Sequence, residues 1–215
     1  MSFVDVQFNL QGDRIPADHG YLLYSAISKV VKEIHQGEEF GIHAISGRLL
    51  GDRMLELVPH SHLTIRLPVE RVKDVLPLAG KTLGIGDHRI VVGVPASRAL
   101  TPSASLYSRL VVIKGFMEPN PFLDAVKRQL VEMKVNGVPS LVSTVGAVKA
   151  NAERSGGTKS PWIRRTLRIH DKEIVGFAVR IEQLSAEDSI LVQEHGVGGR
   201  RRFGCGLFIP EKEEG

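Results

Sequence analysis

The chain has 215 residues, of which 42% are apolar and 24% charged, and its formal net charge is +4, all typical of a globular protein with a buried core. No apolar stretch approaches the ~20 residues of a membrane helix, and the N-terminus lacks the basic and apolar segments of a targeting signal. The single cysteine, Cys205, excludes an internal disulfide and a cysteine-based zinc cluster. We therefore expect a cytoplasmic protein.

The first half of the chain alternates predicted strands with two predicted helices. Alternating apolar residues indicate strands at 3–10, 41–45, 54–59, 63–68 and 88–94. Apolar residues three and four apart indicate an amphipathic helix at 21–34 and a second one at 69–79. Residues 96–104 (ASRALTPSA) are small and polar, which favours a linker.

After the linker the same order of elements returns. The predicted strands are 110–113, 166–169, 174–181 and 207–209, and the predicted helices are 120–135 and 185–195. Ser185, with Asp188 three residues later, resembles a capping box at the start of the last helix. Two successive strand–helix–strand–strand–helix–strand units predict an α+β fold of two tandem ferredoxin-like (RRM-like) domains with a C-terminal glycine-rich loop. We place the domains at 1–97 and 105–210. The segment 142–163 fits neither helix nor strand and is predicted to be a long basic loop.

The positive charge is concentrated in one part of the chain. Residues 149–172 contain seven basic and two acidic side chains, so the remaining residues sum to a charge of −1. Three further arginines follow one another at 200–202. Charge distributed this unevenly favours a polyanionic partner, whereas the alternative is a solvated positive face without a role.

The segment 195–206 (HGVGGRRRFGCG) holds five glycines and three arginines. Glycines let a backbone approach a ligand and turn its N–H groups towards an anion. The segment follows a helix and precedes a strand, the reverse of nucleotide-binding loops, so we expect no cofactor. Glycine backbone combined with guanidinium groups suits the sugar-phosphate chain of RNA. A tight turn with surface arginines is the alternative.

Four stretches resemble a known family: 186–210 (AEDSILVQEHGVGGRRRFGCGLFIP), 15–28 (IPADHGYLLYSAIS), 41–47 (GIHAISG) and 162–182 (WIRRTLRIHDKEIVGFAVRIE). They are similar to the CRISPR-associated pre-crRNA-processing endoribonucleases, the Cas6 family of the RAMP superfamily, and especially to the compact variant of myxococcal-type type I systems. The resemblance implies tandem ferredoxin-like domains, cleavage within CRISPR repeat RNA, retention of the product and handover to other subunits of a CRISPR effector complex.

The resemblance also implies metal-independent chemistry, in which the 2′-OH of the RNA attacks the adjacent phosphate and leaves a 2′,3′-cyclic phosphate. Histidine suits the general base because its ordinary pKa of ~6.5 lies near the working pH. The family places a histidine at or just after the end of the first helix, and His35 and then His43 are the candidates here. Tyr24 and Lys29, with Tyr21, are candidate helpers, on a match of position alone.

Each candidate histidine also has a structural interpretation. His43 lies in an apolar run and is equally compatible with a core position, and His35 is also compatible with an exposed helix end. His60 and His62 have a metal-like spacing, but no acidic or cysteine ligand lies near them in the sequence, so we expect no metal site. The alternative for the whole chain is a non-catalytic RNA-binding subunit of a CRISPR effector complex, and a small-anion-binding domain comes third.

The candidate RNA-binding residues are the basic side chains of 149–168 and the arginines and glycines of the loop: Lys149, Arg154, Lys159, Arg164, Arg165, Arg168, Gly196, Gly198, Gly199, Arg200, Arg201, Arg202, Gly204 and Gly206. The lone tryptophan, Trp162, is compatible with stacking on a base, although a core position is favoured. We expect no membrane partner.

Overall fold

The computed structural model describes residues 2–35, 37, 39–143 and 161–211. The chain divides into two compact units. Unit 1 is Met1–Leu100 with two later segments, Leu167–Lys172 and Arg200–Gly204, and unit 2 is the remainder of the second half. The domain predicted at 105–210 contains both later segments, whereas in the structure they pack with unit 1.

The elements of the first half are β1 (Phe3–Gln11), β2 (Arg14–Pro16), α1 (Gly20–Ser28), β3 (Gly41–Ile42), β4 (Arg48–Leu49), β5 (Met54–Glu56), β6 (His62–Pro68), α2 (Val72–Val75), β7 (Thr82–Ile85) and β8 (His88–Ala99). The elements of the second half are β9 (Leu106–Val111), α3 (Pro119–Glu132), β10 (Val138–Leu141), β11 (Arg164–Ile169), β12 (Lys172–Glu182), α4 (Ala186–His195) and β13 (Ile209–Pro210).

The main sheet of unit 1 has the strand order β3-β6-β1-β8-β7. If β7 is set aside, the second, third, first and fourth strands of a strand–helix–strand–strand–helix–strand unit lie side by side, which is the ferredoxin-like order. Apolar side chains on alternating positions of β1, such as Val6 and Phe8, are fully buried because one face of the sheet packs on the core.

Unit 2 repeats this order in the sheet β10-β12-β9-β13, with β11 paired to the edge of β12. Its core contains Phe122 of α3 and Phe177 of β12, whose ring centroids are 4.9 Å apart. Trp162 is partly buried against this core. The same strand order in both sheets confirms the predicted α+β fold of two ferredoxin-like units.

The predicted helix 21–34 is wrong in its second half. Helix α1 ends at Ser28, and a separate 3₁₀ turn covers Lys32–His35. The backbone N–H groups of Val30 and Val31 both donate to the carbonyl of Ile27, which tightens the chain where two β-branched residues disfavour a continued α-helix. The apolar spacing correctly indicated the buried side, since Val31 and Ile34 are buried, but not one continuous helix.

Three other predictions needed correction. The helix predicted at 69–79 is broken into a short α-helix between two 3₁₀ turns, the second of which contains Pro77, whose ring supplies no N–H. The predicted linker 96–104 is strand in its first part, because β8 runs to Ala99 and pairs with Val4 of β1. Short strands β2, β4, β7 and β10 were missed because two to four residues carry too little periodicity.

The cap predicted for the last helix is confirmed. The hydroxyl oxygen of Ser185 accepts the backbone N–H of Asp188 at 3.0 Å, which satisfies one open donor of the first turn of α4. None of the helices in the described part of the chain is long and apolar enough to cross a membrane.

Candidate active site

The closest pairing of predicted site residues is that of Tyr24 and His35. The Tyr24 hydroxyl lies 2.7 Å from Nδ1 of His35, and the two rings meet edge to face at 5.6 Å. Tyr24 projects from the last half of α1, and His35 ends the 3₁₀ turn that follows it. His35 is exposed and Tyr24 is half-buried, so the pair presents an imidazole to solvent with one of its nitrogens already held.

A short turn of the glycine-rich segment lies against this pair. We call Arg200–Gly204 the arginine turn; it contains the 3₁₀ turn Arg201–Phe203 and belongs to unit 1. The Nη1 group of Arg202 donates to the carbonyls of Ile34 and His35, both at 3.1 Å, and the guanidinium lies over the Tyr24 ring at 5.7 Å. The Arg202 cation is therefore fixed next to the His35 backbone, although Arg202 lies 167 residues after His35 and 168 residues after Ile34 in the chain.

Two glycines explain why the arginine turn can approach so closely. A Cβ on Gly20, the first residue of α1, would lie 2.5 Å from the carbonyl oxygen of Phe203. Gly204 has a φ of +83°, and a Cβ there would lie 3.4 Å from backbone atoms of Ile42 and Ala44. A larger residue at Gly20 would push the turn away from α1, whereas one at Gly204 would strain the left-handed backbone of the turn.

A second tyrosine–histidine pair lies on the other side of Phe203. The Tyr21 hydroxyl is 2.8 Å from Nε2 of His170, and their ring centroids are 4.8 Å apart. The Phe203 ring lies 6.0 Å from the Tyr21 ring and 4.9 Å from the Tyr24 ring. Residues three apart on a helix are neighbours, so α1 carries both pairs on one face.

The His170 position was not found from the sequence. It is the first residue of the turn between β11 and β12, with a φ of +51°, and Asp18 accepts the backbone N–H of Arg168 at 3.0 Å on the same hairpin tip. A histidine in a hairpin turn looks like a solvated surface residue in the sequence. Only the contact with Tyr21, 149 residues earlier, distinguishes it.

His43, the other candidate base, lies in a buried charged cluster. Both oxygens of Asp5 accept hydrogen bonds of 2.8 Å from Arg66, whose side chain is only 1% exposed. The Nε2 atom of His43 is 3.7 Å from Asp5, beyond hydrogen-bond distance, and is buried without a hydrogen-bond partner in the described structure. The Nε2 atom is thus closed off from a substrate, although 15% of the side chain is exposed.

The electrostatics of this cluster keep His43 neutral. Burial, with a further contribution from the charge of Arg66, lowers the pKa of His43 to about 3, and Asp5 offsets only part of this. Burial alone would raise the pKa of Asp5, but the hydrogen bonds and charge of Arg66 outweigh it and hold that pKa below its usual range. Burial and the nearby Arg66 lower the pKa of Arg201 to about 10, so Arg201 stays a cation at neutral pH.

The three arginines of the turn therefore have different surroundings. Arg200 is exposed, with a left-handed backbone at φ +67°. The charge of Arg201 acts on His43 and is itself affected by Arg66, whereas Arg202 contacts the Tyr24 ring and the carbonyl of His35.

The backbone amides of the loop glycines are already engaged. Every glycine of 196–206 donates its N–H to an acceptor within the protein, at 2.7 to 3.1 Å: Gly196 to Val192, Gly198 to the Gln129 side chain, Gly199 to Val112, Gly204 to Arg201 and Gly206 to Leu110. The expectation that these N–H groups are turned towards an anion is therefore wrong. That the glycines contact RNA stays a prediction, which now depends only on a close approach of the RNA to the glycine backbone.

The other predicted site residues are scattered. Lys29 lies at the exposed end of α1, and no contact of its side chain with His35 is found. Arg164 and Arg168 are exposed on β11, whereas Arg165 is half-buried. Lys149, Arg154 and Lys159 lie outside the described residues.

Two other histidine interpretations can be examined. His19 is buried, with Nδ1 at 2.9 Å from the carbonyl of Pro16 and Nε2 accepting the N–H of Ile45, so it joins β2, α1 and the chain after β3. His62 binds the carbonyl of His60 through Nδ1. Within the described ranges, no three side chains of His, Cys, Asp or Glu type come close enough to hold a metal ion.

Comparison with known proteins gives a consistent result. The model of the Cas6 CRISPR family matches residues 4–213. A protein of Myxococcus xanthus (strain DK1622) named CRISPR-associated endonuclease Cas6 is 37% identical over 210 residues, which are 98% of this chain and 82% of the relative.

Solved structures agree in fold at low identity. A Cas6-related protein from Pyrococcus furiosus superposes with a TM-score of 0.68 and 16% identity, covering 99% of this chain and 100% of that one. A structure named CRISPR associated protein Cas6 gives a TM-score of 0.65 and 14% identity, covering 98% and 100%. The resemblance inferred from the four stretches is confirmed: the chain belongs to the Cas6 CRISPR family.

Proposed function

We propose that this chain is a metal-independent endoribonuclease that cleaves CRISPR repeat RNA to mature crRNA and remains bound to its product. The observation that carries the proposal is the Tyr24–His35 pair with Arg202 fixed beside it. The M. xanthus relative is named a CRISPR-associated endonuclease, which supports the same reaction class.

The reaction uses a nucleophile that the RNA supplies. Nε2 of His35 removes the proton of the 2′-OH, the oxygen attacks the adjacent phosphorus, and the bond to the 5′-oxygen breaks. The products are a 2′,3′-cyclic phosphate and a 5′-hydroxyl, the latter formed when the departing oxygen takes up a proton. Atoms and charge balance without an external cofactor.

Tyr24 orients the base. When its oxygen accepts the proton on Nδ1 of His35, Nε2 is left with the lone pair that a base needs. The same hydrogen bond stabilises the imidazolium that forms after proton transfer. This role makes Tyr24 a positioning residue. Tyr24→Phe would remove the hydroxyl that orients the His35 imidazole and leave the imidazole itself in place.

Arg202 supplies positive charge where the phosphate gains negative charge. Its guanidinium is held by two carbonyls and by the Tyr24 ring, so it is fixed before the substrate arrives. His43 is unsuitable as the base in this proposal because its Nε2 is buried in the Asp5–Arg66 cluster. Lys29 remains a candidate contact to the RNA backbone beyond the pair.

RNA affinity is assigned to exposed cations of the second half. Arg164, Arg168 and Arg200 are exposed, and Lys149, Arg154 and Lys159 are predicted to add to them. The processed RNA would then be passed, still bound, to other subunits of a CRISPR effector complex.

The decisive experiment is incubation of the protein with its cognate repeat RNA in EDTA, followed by analysis of the product ends. We expect one cut that leaves a 2′,3′-cyclic phosphate, and no cut when the nucleotide just upstream carries a 2′-deoxy sugar. Cleavage that requires Mg²⁺, or persists with the 2′-deoxy sugar, would refute the mechanism. Tight binding without any cut would instead identify a non-catalytic RNA-binding subunit.

A further inference from the structure

A cleft lies beside the second tyrosine–histidine pair. Its volume is about 450 Å³, and residues of unit 1 line it, including Tyr21 and Leu22 of α1, Met54 of β5, and Arg168 and His170 of the hairpin tip. The chemistry assigned to His35 does not use this cleft, and Arg168 is the one cleft residue that also belongs to the cations assigned to RNA affinity.

The cleft has an apolar wall and a polar rim. Tyr21 and His170 present two rings whose planes are inclined by 59°, next to the apolar side chains of Leu22 and Met54. Asp18 and Asp52 bring carboxylates to the rim, whereas Arg53 and Arg168 bring guanidinium groups. A flat, partly apolar group with hydrogen-bonding edges and a nearby negative charge fits this lining.

An unstacked nucleotide has these properties. Proteins recognise single-stranded RNA by stacking extruded bases on aromatic rings and by bonding their edges, while cations hold the phosphate. Carboxylates accept hydrogen bonds, so Asp18 and Asp52 favour a base that carries an exocyclic amino group, which uracil lacks. Asp18 is held in place because it accepts the N–H of Arg168.

The cleft also lies close to the proposed cutting position. Tyr21 and Tyr24 are one helical turn apart and both contact Phe203 at 6.0 and 4.9 Å. A base in the cleft would therefore belong to a nucleotide near the cut phosphate rather than to a remote part of the RNA.

We propose that the Tyr21–His170 cleft is a binding site for one extruded, amino-bearing nucleobase of the RNA strand near the cut. This inference rests on the proposed function, which identifies the RNA as the CRISPR repeat. It concerns the affinity for that RNA and not the proton transfer. The site would fix the register of the strand, so that the correct 2′-OH faces His35.

The test is a scan of the cognate repeat with single abasic nucleotides, in which affinity is measured in EDTA with full-length His35→Ala protein. One position, or two adjacent ones, should lose about tenfold in affinity, the size of one base-stacking contact. In a Tyr21→Ala or His170→Ala background that penalty should disappear, because the abasic RNA and the variant remove the same contact. His60→Ala, which removes another exposed histidine, should leave the penalty unchanged.

Replacement of the base at the sensitive position by uracil should also weaken binding, and a natural uracil there would overturn the assignment. The inference also fails if no abasic penalty depends on Tyr21 or His170. It fails equally if both variants slow single-turnover cleavage at saturating RNA while affinity stays the same, since the pair would then act in proton transfer. If wild-type protein binds the repeat but never cuts it, the proposed function is refuted while the affinity scan is still interpretable.

Discussion

His35 and His43 lie eight residues apart and occupy opposite environments. His35 is exposed and hydrogen-bonded to the Tyr24 hydroxyl, whereas the Nε2 atom of His43 is buried near Asp5, under the influence of the charges of Arg66 and Arg201. The arginine turn acts on both histidines, because Arg202 donates to the carbonyl of His35 and the charge of Arg201 lowers the pKa of His43. The difference teaches that consecutive residues of one short turn can act on an exposed histidine and on a buried charged cluster at the same time.

The largest effect is expected from removal of the exposed base. His35→Ala should lower the single-turnover cleavage rate about 10²- to 10⁴-fold, the usual contribution of a general base, and leave repeat affinity within a few-fold. His43→Gln should keep the rate within tenfold, because the Nε2 atom of His43 is buried. Quenched-flow cleavage with a labelled repeat measures both.

A matched control is His60→Ala, which alters an exposed histidine away from the pair. If folded His43→Gln loses the activity that His35→Ala retains, the ranking of the two histidines is reversed.

The next effect concerns the enclosed cluster. Asp5→Asn leaves the buried Arg66 cation without its carboxylate, so the free energy of unfolding should fall by about 3–5 kcal/mol. Urea denaturation followed by circular dichroism measures the loss. Asp13→Asn changes a carboxylate that is 88% exposed and should stay within about 0.5 kcal/mol of the wild type.

The double variant Asp5→Asn with Arg66→Met removes the orphaned charge and should recover part of the stability. Equal losses for Asp5→Asn and Asp13→Asn would show that the cluster is not a buried ion pair.

Under the proposed function, Arg202 and Arg200 of the arginine turn have different roles. Arg202→Ala should lower the saturated cleavage rate about 10²-fold, as expected for one fixed cationic donor near the phosphate. Arg200→Ala should mainly weaken affinity and reduce the slope of log K against log salt by about one. Both variants replace an arginine of the same turn by alanine, so each is the control for the other. The same effects of both variants on cleavage rate and on affinity would contradict the two separate roles.

The effect that is smallest near neutral pH is a dependence of stability on pH. The folded-state pKa of His43, lowered to about 3, lies below its unfolded value, so the unfolded chain binds more protons between pH 3 and about 6.5. The His43 contribution is complete above about pH 6.5 and is lost as the pH falls, by about 1.4 kcal/mol per pH unit. His43→Gln should flatten this part of the profile, and an unchanged acid slope would show that other groups cause it.

The sequence allowed the fold to be predicted well where periodicity was long. The strand β1, the cap at Ser185 and the repeated element order were all recognised, because alternating and helical apolar patterns are local properties. The helix at 21–34 was overextended because Val31 and Ile34 keep the spacing of a helix while packing from a 3₁₀ turn. The apolar pattern of a sequence thus predicts which side chains are buried better than it predicts whether the backbone is an α-helix or a 3₁₀ turn.

The sequence by itself determined the α+β class, the family and the short list that contains His35 and Tyr24, because these follow from local patterns and from residue types of suitable chemistry. Tertiary structure alone placed Arg202 beside His35, His170 beside Tyr21, and His43 beside Asp5 and Arg66. These contacts join residues that are far apart in the chain. Whether a polar side chain is exposed or enclosed depends on what packs against it, which no local pattern records.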